Sequence, residues 1–255
     1  MQILTDIIQD INRDARIEEV RRGLHWTAVV SRFCGLSSTM PQETCNKNEE
    51  NGTESSLTDM TALELARYCF SEDISKAPLG LAAINSLIDI DLTKCIDIDG
   101  LKFIYEIGKD KNISIIGHFP FLEELAKVAR NLWIIEKHPG PGDIPEESGQ
   151  DYLPQSDIVV ISGTTLINHT LSGILSLCND KSVKMLLGPT TPMSETLFNH
   201  GIDILSGSMV TDRELALKHI SEGANFIRLK KSGAVRFVTM VKDREDIIRR
   251  ITETE

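Results

Sequence analysis

The chain has 255 residues, 41% hydrophobic and 25% charged, which suits a soluble globular protein of one large domain or two small ones. Its net charge of −11 lacks the basic balance of a nucleic-acid binder, and no apolar stretch approaches the roughly 20 residues that cross a bilayer. The five cysteines (Cys34, Cys45, Cys69, Cys95 and Cys178) are scattered and form no Cys-x-x-Cys pair, which fits reduced thiols in a cytoplasm and not a disulfide framework.

The opening residues are amphipathic at once, so no signal peptide is expected. Ile3, Leu4, Ile7, Ile8 and Ile11 have helical spacing over 2–14. Residues 17–22 and 26–33, broken by Gly23-Leu24-His25, read as a hairpin. Residues 40–57 are polar and read as a mobile surface insertion. A helix is expected over 58–70, capped by Thr58 or Asp59, and a second over 79–88, whose small apolar residues suit close packing. Together these predict a small α+β domain over 1–98.

From about residue 100 the rhythm changes. Short Val- and Ile-rich runs at 113–116, 132–135, 158–161, 183–187 and 202–205 alternate with helical patterns at 121–130, 165–177, 193–199 and 212–221. Strands buried on both faces and alternating with helices predict a parallel sheet, and so a Rossmann-like α/β domain over 99–255. Residues 226–229 and 235–240 read as a closing antiparallel hairpin.

In such a sheet, ligands bind outside the carboxyl ends of the strands. Four strand ends carry polar, glycine-containing motifs. The first, Gly117-His118-Phe119-Pro120, stands where a dinucleotide enzyme carries G-x-G-x-x-G, which is absent, so NAD is disfavoured. His118 and Glu136 are the candidate acid–base residues, Glu136 against the plainer reading of a solvated strand end. Ser162-Gly163-Thr164-Thr165 reads as a loop opening a helix, with amides for an anion or simply a threonine cap, and Asn168 one turn into that helix. Gly188-Pro189-Thr190-Thr191-Pro192 repeats the arrangement, and Gly207-Ser208 follows the next strand. In the loop Lys137-His138-Pro139-Gly140-Pro141-Gly142-Asp143, His138 and Asp143 join His118 and Glu136 as candidate ligands of a divalent transition metal; the plainer reading is a lid loop. His25 and Trp26, in the first hairpin, are candidates to reach the pocket, against a buried hairpin tip.

Six segments together resemble a family, the putative heavy-metal chelation proteins. They are Gly23-Leu24-His25-Trp26-Thr27-Ala28-Val29, Gly80-Leu81-Ala82-Ala83-Ile84-Asn85, Gly117-His118-Phe119-Pro120, Gly163-Thr164-Thr165-Leu166-Ile167-Asn168-His169-Thr170, Gly188-Pro189-Thr190-Thr191-Pro192 and Gly207-Ser208. The resemblance implies a domain like the small domain of enolases, then a Rossmann-like domain partly similar to methyltransferases. It implies a site shared by both, which adds Asn85 to the residues above. The implied role is heavy-metal chelation, or condensing or hydrolysing pterin-, flavin- or siderophore-like molecules.

Two functions follow as expectations. One is an enzyme acting on a small anionic or heterocyclic metabolite. The other is a non-catalytic binding or delivery protein for a heavy metal or metal chelate. The expected partner is that small molecule or chelate, with neither nucleic acid nor membrane, and oligomer base rates allow a homodimer.

Overall fold

A computed structural model describes residues 1–40, 56–96, 100–119 and 122–253. In chain order its elements are α1 (Gln2–Asp10), β1 (Glu19–Arg22), β2 (Trp26–Val30), β3 (Cys34–Ser38), α2 (Ala62–Ala66), α3 (Ala77–Leu87), β4 (Cys95–Ile96) and α4 (Gly100–Ile107). Next come β5 (Asn112–Ile116), α5 (Leu122–Ala126), β6 (Asn131–Glu136), β7 (Ile144–Pro145), α6 (Gly149–Tyr152), β8 (Ile158–Ser162), α7 (Leu171–Leu177), β9 (Val183–Leu187) and α8 (Thr196–Asn199). The chain closes with β10 (Ile204–Val210), α9 (Arg213–Ser221), α10 (Phe226–Lys231), β11 (Val235–Val241) and α11 (Arg244–Thr252). Contacts divide it into two compact units. The first holds residues 1–90, 166–168 and 208–236; the second holds 91–165, 169–207 and 237–255.

In the first unit, β1, β2 and β3 form an antiparallel sheet. α3 is buried at every position but Asn85, as its small apolar residues predict. It comes so close that a Cβ on Gly35 of β3 would lie 2.1 Å from the Ala82 carbonyl oxygen, and one on Gly80 would lie 2.0 Å from the Cys69 nitrogen. Three expectations are corrected here. β3 was not anticipated; Cys34-Gly35-Leu36-Ser37-Ser38 has no β-branched residue to announce it. The α2 cap is Thr61, not Thr58 or Asp59: Thr61 Oγ1 accepts from Glu64 N and Glu64 Oε2 accepts from Thr61 N, a reciprocal capping box. Residues 226–229 are helical, because the Asn225 side chain accepts from Arg228 N and opens α10 where a strand was expected. Of the expected insertion at 40–57, residues 41–55 lie outside the described residues.

In the second unit the strand order is β4-β11-β10-β9-β8-β5-β6-β7. Ladders from β10 to β7 are parallel, and β4 pairs antiparallel with β11. The order β7-β6-β5-β8-β9-β10 is that of a doubly wound sheet, which reverses direction between β5 and β8. Ile113, Ile115, Ile158, Val160, Val183, Met185 and Ile204 form the inner sheet layer, packed with Phe103, Ile104, Leu122, Leu125, Ile247 and Ile251. Burying an aliphatic side chain of this size contributes about 1.5–3 kcal/mol. That is why these runs read so plainly in the sequence.

Candidate functional site

The crevice of a doubly wound sheet lies where the strand order reverses. Here that is the gap between the carboxyl ends of β5 and β8. Gly117 follows β5 with φ of 102°, a conformation that favours glycine, and donates its N–H to the Ile135 carbonyl of β6 at 3.1 Å. A Cβ on Gly117 would lie 3.0 Å from Ser162 Cβ at the end of β8. So the Ser162 side chain packs directly against the Gly117 backbone.

The turn after β9 is equally close to the end of β8 and to the middle of β10. A Cβ on Gly163 would lie 2.9 Å from both N and Oγ1 of Thr191, and one on Gly207 would lie 2.7 Å from Met193 Sδ and 2.9 Å from the Thr191 carbonyl oxygen. Thr191 N donates to the Gly188 carbonyl at 2.9 Å, closing a tight turn, and Gly188 N donates to Ser206 O at 2.9 Å. Thr190 and Thr191 are 1% and 2% exposed, and the Thr191 hydroxyl has no hydrogen-bond partner. Native proteins hold few buried polar atoms in that state. Residues 162–165, 188–193 and 206–207 include no charged side chain.

The expected helix N-termini are absent from these loops. Residues Gly163–Leu166 form a 3-10 turn, and α7 begins only at Leu171. Ser162 organises the turn: its Oγ accepts from Thr164 N at 3.3 Å and lies 2.8 Å from Thr164 Oγ1, while Thr165 Oγ1 donates to Ser162 O at 2.7 Å. Asn168 therefore sits in the loop before α7, not one turn into a helix. His169, which was not singled out, takes φ of 61° there, a left-handed conformation uncommon outside glycine. After β9 the helix is only Thr196–Asn199, well past Pro189, Thr190 and Thr191. Hydroxyls and loop amides line these ends, without the dipole of a long helix.

At the switch point the His118 side chain is 62% exposed, and its Nδ1 lies 3.7 Å from Asp143 Oδ2, whose side chain is 8% exposed. The loop between β6 and β7 builds this carboxylate in place. Asp143 N donates to Gly140 O at 3.1 Å, and Asp143 Oδ2 accepts from Gly140 N at 2.9 Å. Ile144, the next residue, pairs with Ile135, the residue whose carbonyl holds Gly117. That rung of the sheet therefore brings His118 and Asp143 together across the intervening sequence. Phe119, half-buried, packs against the sheet core. Glu136 is half-buried at the end of β6 and accepts from Lys137 N at 3.1 Å. His138 is exposed.

Of the expected metal ligands, His118 and Asp143 meet. Among the described residues, no group of three or more His, Cys, Asp or Glu is arranged to hold a metal ion. A site for a resident metal takes at least three protein ligands, so His118, His138 and Asp143 do not fit one. In the first unit His25 is exposed, Trp26 is buried with its indole N–H unpartnered, and Asn85 Nδ2 donates to Leu36 O at 2.7 Å, tying α3 to β3. Gly207 and Ser208 lie inside β10, which runs on to Val210, and not after the strand as expected; Ser208 is half-buried there.

The opposite end of the sheet is different. A cleft of about 430 Å³ there is lined by Asp180, Asp203, Lys242, Asp243, Asp246 and Arg250. These charges are structural. Arg250 binds Asp203 at 2.5 Å and Asp246 at 2.9 Å, and Arg250 Nη1 donates to Ser182 O at 3.2 Å. Asp203 Oδ2 accepts from Lys184 N at 2.8 Å, and Lys242 Nζ donates to Phe198 O at 3.1 Å. Burial holds the Lys184 ammonium below its usual range, and Asp203 counteracts part of that.

Two family models match the chain, over residues 5–88 and 99–239, both described as "Putative heavy-metal chelation". The chain belongs to this family. An uncharacterised protein of Methanocaldococcus jannaschii is 28% identical over 184 residues, 69% of this chain and 70% of that one. A crystal structure of a family member of unknown function from Desulfitobacterium hafniense superposes with a TM-score of 0.81 at 28% identity, covering 94% of this chain and 98% of that one. One from Pyrococcus horikoshii gives 0.80 at 23% identity, covering 94% and 99%, a likeness of fold.

Proposed function

We propose that the carboxyl edge of the parallel sheet binds a small heterocyclic metabolite, pterin-, flavin- or siderophore-like, handled in connection with heavy-metal chelation. One observation carries this reading. In the loops after β8 and β9, beside the switch point, neutral hydroxyls and closely packed glycines stand where a phosphate site would have a long helix or a cation. Such a surface suits the carbonyl and ring-nitrogen edge of an uncharged heterocycle more than a bare oxyanion. The orphaned Thr191 hydroxyl supports the same reading. His118 and Glu136, at the ends of adjacent strands, are the groups on this edge that can move a proton if the ligand is condensed or hydrolysed.

The test is thermal shift of the purified chain with tetrahydrobiopterin, riboflavin and catecholate siderophore probes. A ligand at 100 times its Kd stabilises the fold by about 2.7 kcal/mol. The double variant Thr164→Val and Thr190→Val should lose that shift while its unliganded Tm stays close to the parent. An undiminished shift removes the strand-end site.

A further inference from the structure

The turn after β9 holds a hydroxyl that the fold does not use. Thr191 is 2% exposed, and its Oγ1 has no hydrogen-bond partner among the described residues. A buried polar atom in that state carries its desolvation penalty uncompensated, which a valine of nearly the same shape would avoid. We propose that the Thr191 hydroxyl is the donor that selects the ligand of this edge, and that it selects a neutral acceptor, a ring carbonyl oxygen or ring nitrogen. The inference rests on the strand-end site proposed above and adds the atom that reads the ligand and the charge of the group it reads.

The turn is built to hold that residue in place. Thr191 N donates to Gly188 O and Gly188 N to Ser206 O, both at 2.9 Å, and Pro189 and Pro192 stand on either side of the two threonines. With the backbone braced, the torsion about Cα–Cβ is what aims Oγ1. One flank of the turn is closed: a Cβ on Gly163 would lie 2.9 Å from Oγ1, so no ligand atom enters there. The other flank is open: Gly188 takes φ of 118°, and a Cβ on it would meet nothing within 4 Å. A staggered step about Cα–Cβ takes Oγ1 off Gly163 without moving the loop backbone.

The surroundings decide the charge. Residues 162–165 and 188–193 have no charged side chain. A carboxylate or phosphate brought against this hydroxyl would lose its hydration with no cation to replace it. A carbonyl or ring nitrogen loses far less, and the hydrogen bond it accepts also ends the penalty that Thr191 carries in the free protein. A compound with a C–H at that position leaves the hydroxyl orphaned and is rejected.

The probes are lumazine and riboflavin, whose rings share the same two neutral carbonyls, titrated by fluorescence, with inorganic phosphate beside them. Thr191→Val should raise the unliganded Tm by about 2–4 °C, because it removes an orphaned hydroxyl and keeps the volume. The same variant should lower affinity for the diones about tenfold, and Thr191→Ser should restore most of it. These opposite signs separate the two roles, since loss of a merely structural hydrogen bond would lower Tm. Phosphate should give no shift in the parent or in either variant. A lower Tm in Thr191→Val overturns the proposal, because the hydroxyl would then have a partner in the free protein. So does parent-like dione affinity in that variant, or phosphate binding that the variant loses. If Thr191→Val keeps dione affinity while the Thr164/Thr190 pair removes it, this inference falls alone. If neither dione binds the parent, it also falls, and the strand-end site is left to the remaining probes; if none of those binds, the site reading falls with it.

Discussion

The two ends of the parallel sheet are built from opposite chemistry. At the amino ends, Arg250, Asp203, Asp246, Lys184 and Lys242 form a linked network that fastens α11 to β9 and β10, and each charge has a structural partner. At the carboxyl ends, residues 162–165 and 188–193 after β8 and β9 are uncharged, with Glu136 and Asp143 confined to the β6 side. The charged end holds a cleft, and Arg250, Asp203, Lys184 and Lys242 in and beside it are used in holding the fold. At the carboxyl ends of β8 and β9, the Thr191 hydroxyl is left without a partner among the described residues.

Four experiments can break or sharpen that contrast. The largest effect belongs to Arg250→Ala, which leaves the Asp203 carboxylate, 12% exposed, without its ion pair. It should lower unfolding free energy by about 3 kcal/mol in urea melts, with heterocycle affinity unchanged in the folded fraction. A matching loss of affinity would mean that the two ends are not separate in function. Next is Gly163→Ala, whose methyl meets Thr191 backbone at 2.9 Å. It should cost about 1–3 kcal/mol and also weaken ligand binding, since the shift falls on the neutral end. Thr164→Val with Thr190→Val should move stability by roughly 1 kcal/mol or less while removing the ligand-induced shift.

The smallest effect is a slope with pH. Lys184 has its pKa lowered from 10.5 mainly by burial. Between the lowered value and 10.5 the unfolded chain binds more protons than the folded one, so this residue makes stability rise with pH in that window. Below the lowered pKa both states are protonated and the folded state carries the full penalty. Lys184→Met should therefore gain less stability than the parent between neutral pH and about 10. Equal slopes in paired urea titrations would remove the buried ammonium as a factor.

Much of the second unit was legible because its strands are buried on both faces. Runs such as Ile158 to Ile161 have no polar interruption, and the polar residues that follow mark the strand ends. Helix starts were less legible. Thr164 and Thr165 look like caps, but Ser162 takes their amide and hydroxyl partners and winds a 3-10 turn. Phe226-Ile227-Arg228-Leu229 has strand-like composition, and only Asn225 ahead of it signals α10. The Thr61-x-x-Glu64 signature marks α2, while Thr58 and Asp59, just ahead of it, carry the same kind of cap-forming side chains and lie in a short 3-10 turn. His118 and Asp143 were both nameable from sequence. Their relation was not, because it depends on the rung joining Ile135 to Ile144.

The contacts of Gly163 and Gly207 with the β9 loop also constrain how this edge can move and vary. A Cβ on Gly163 would meet the Thr191 backbone and hydroxyl, and one on Gly207, inside β10, would meet Met193 Sδ and the Thr191 carbonyl, so the loops after β8 and β9 are packed against each other and against β10. They would open as one block, and their amides should exchange with solvent as a single cooperative group. Over generations the same contact ties three distant stretches of sequence together. A larger residue at either glycine is tolerated only when the turn around Thr191 retreats with it, so change at one loop must be answered in the next.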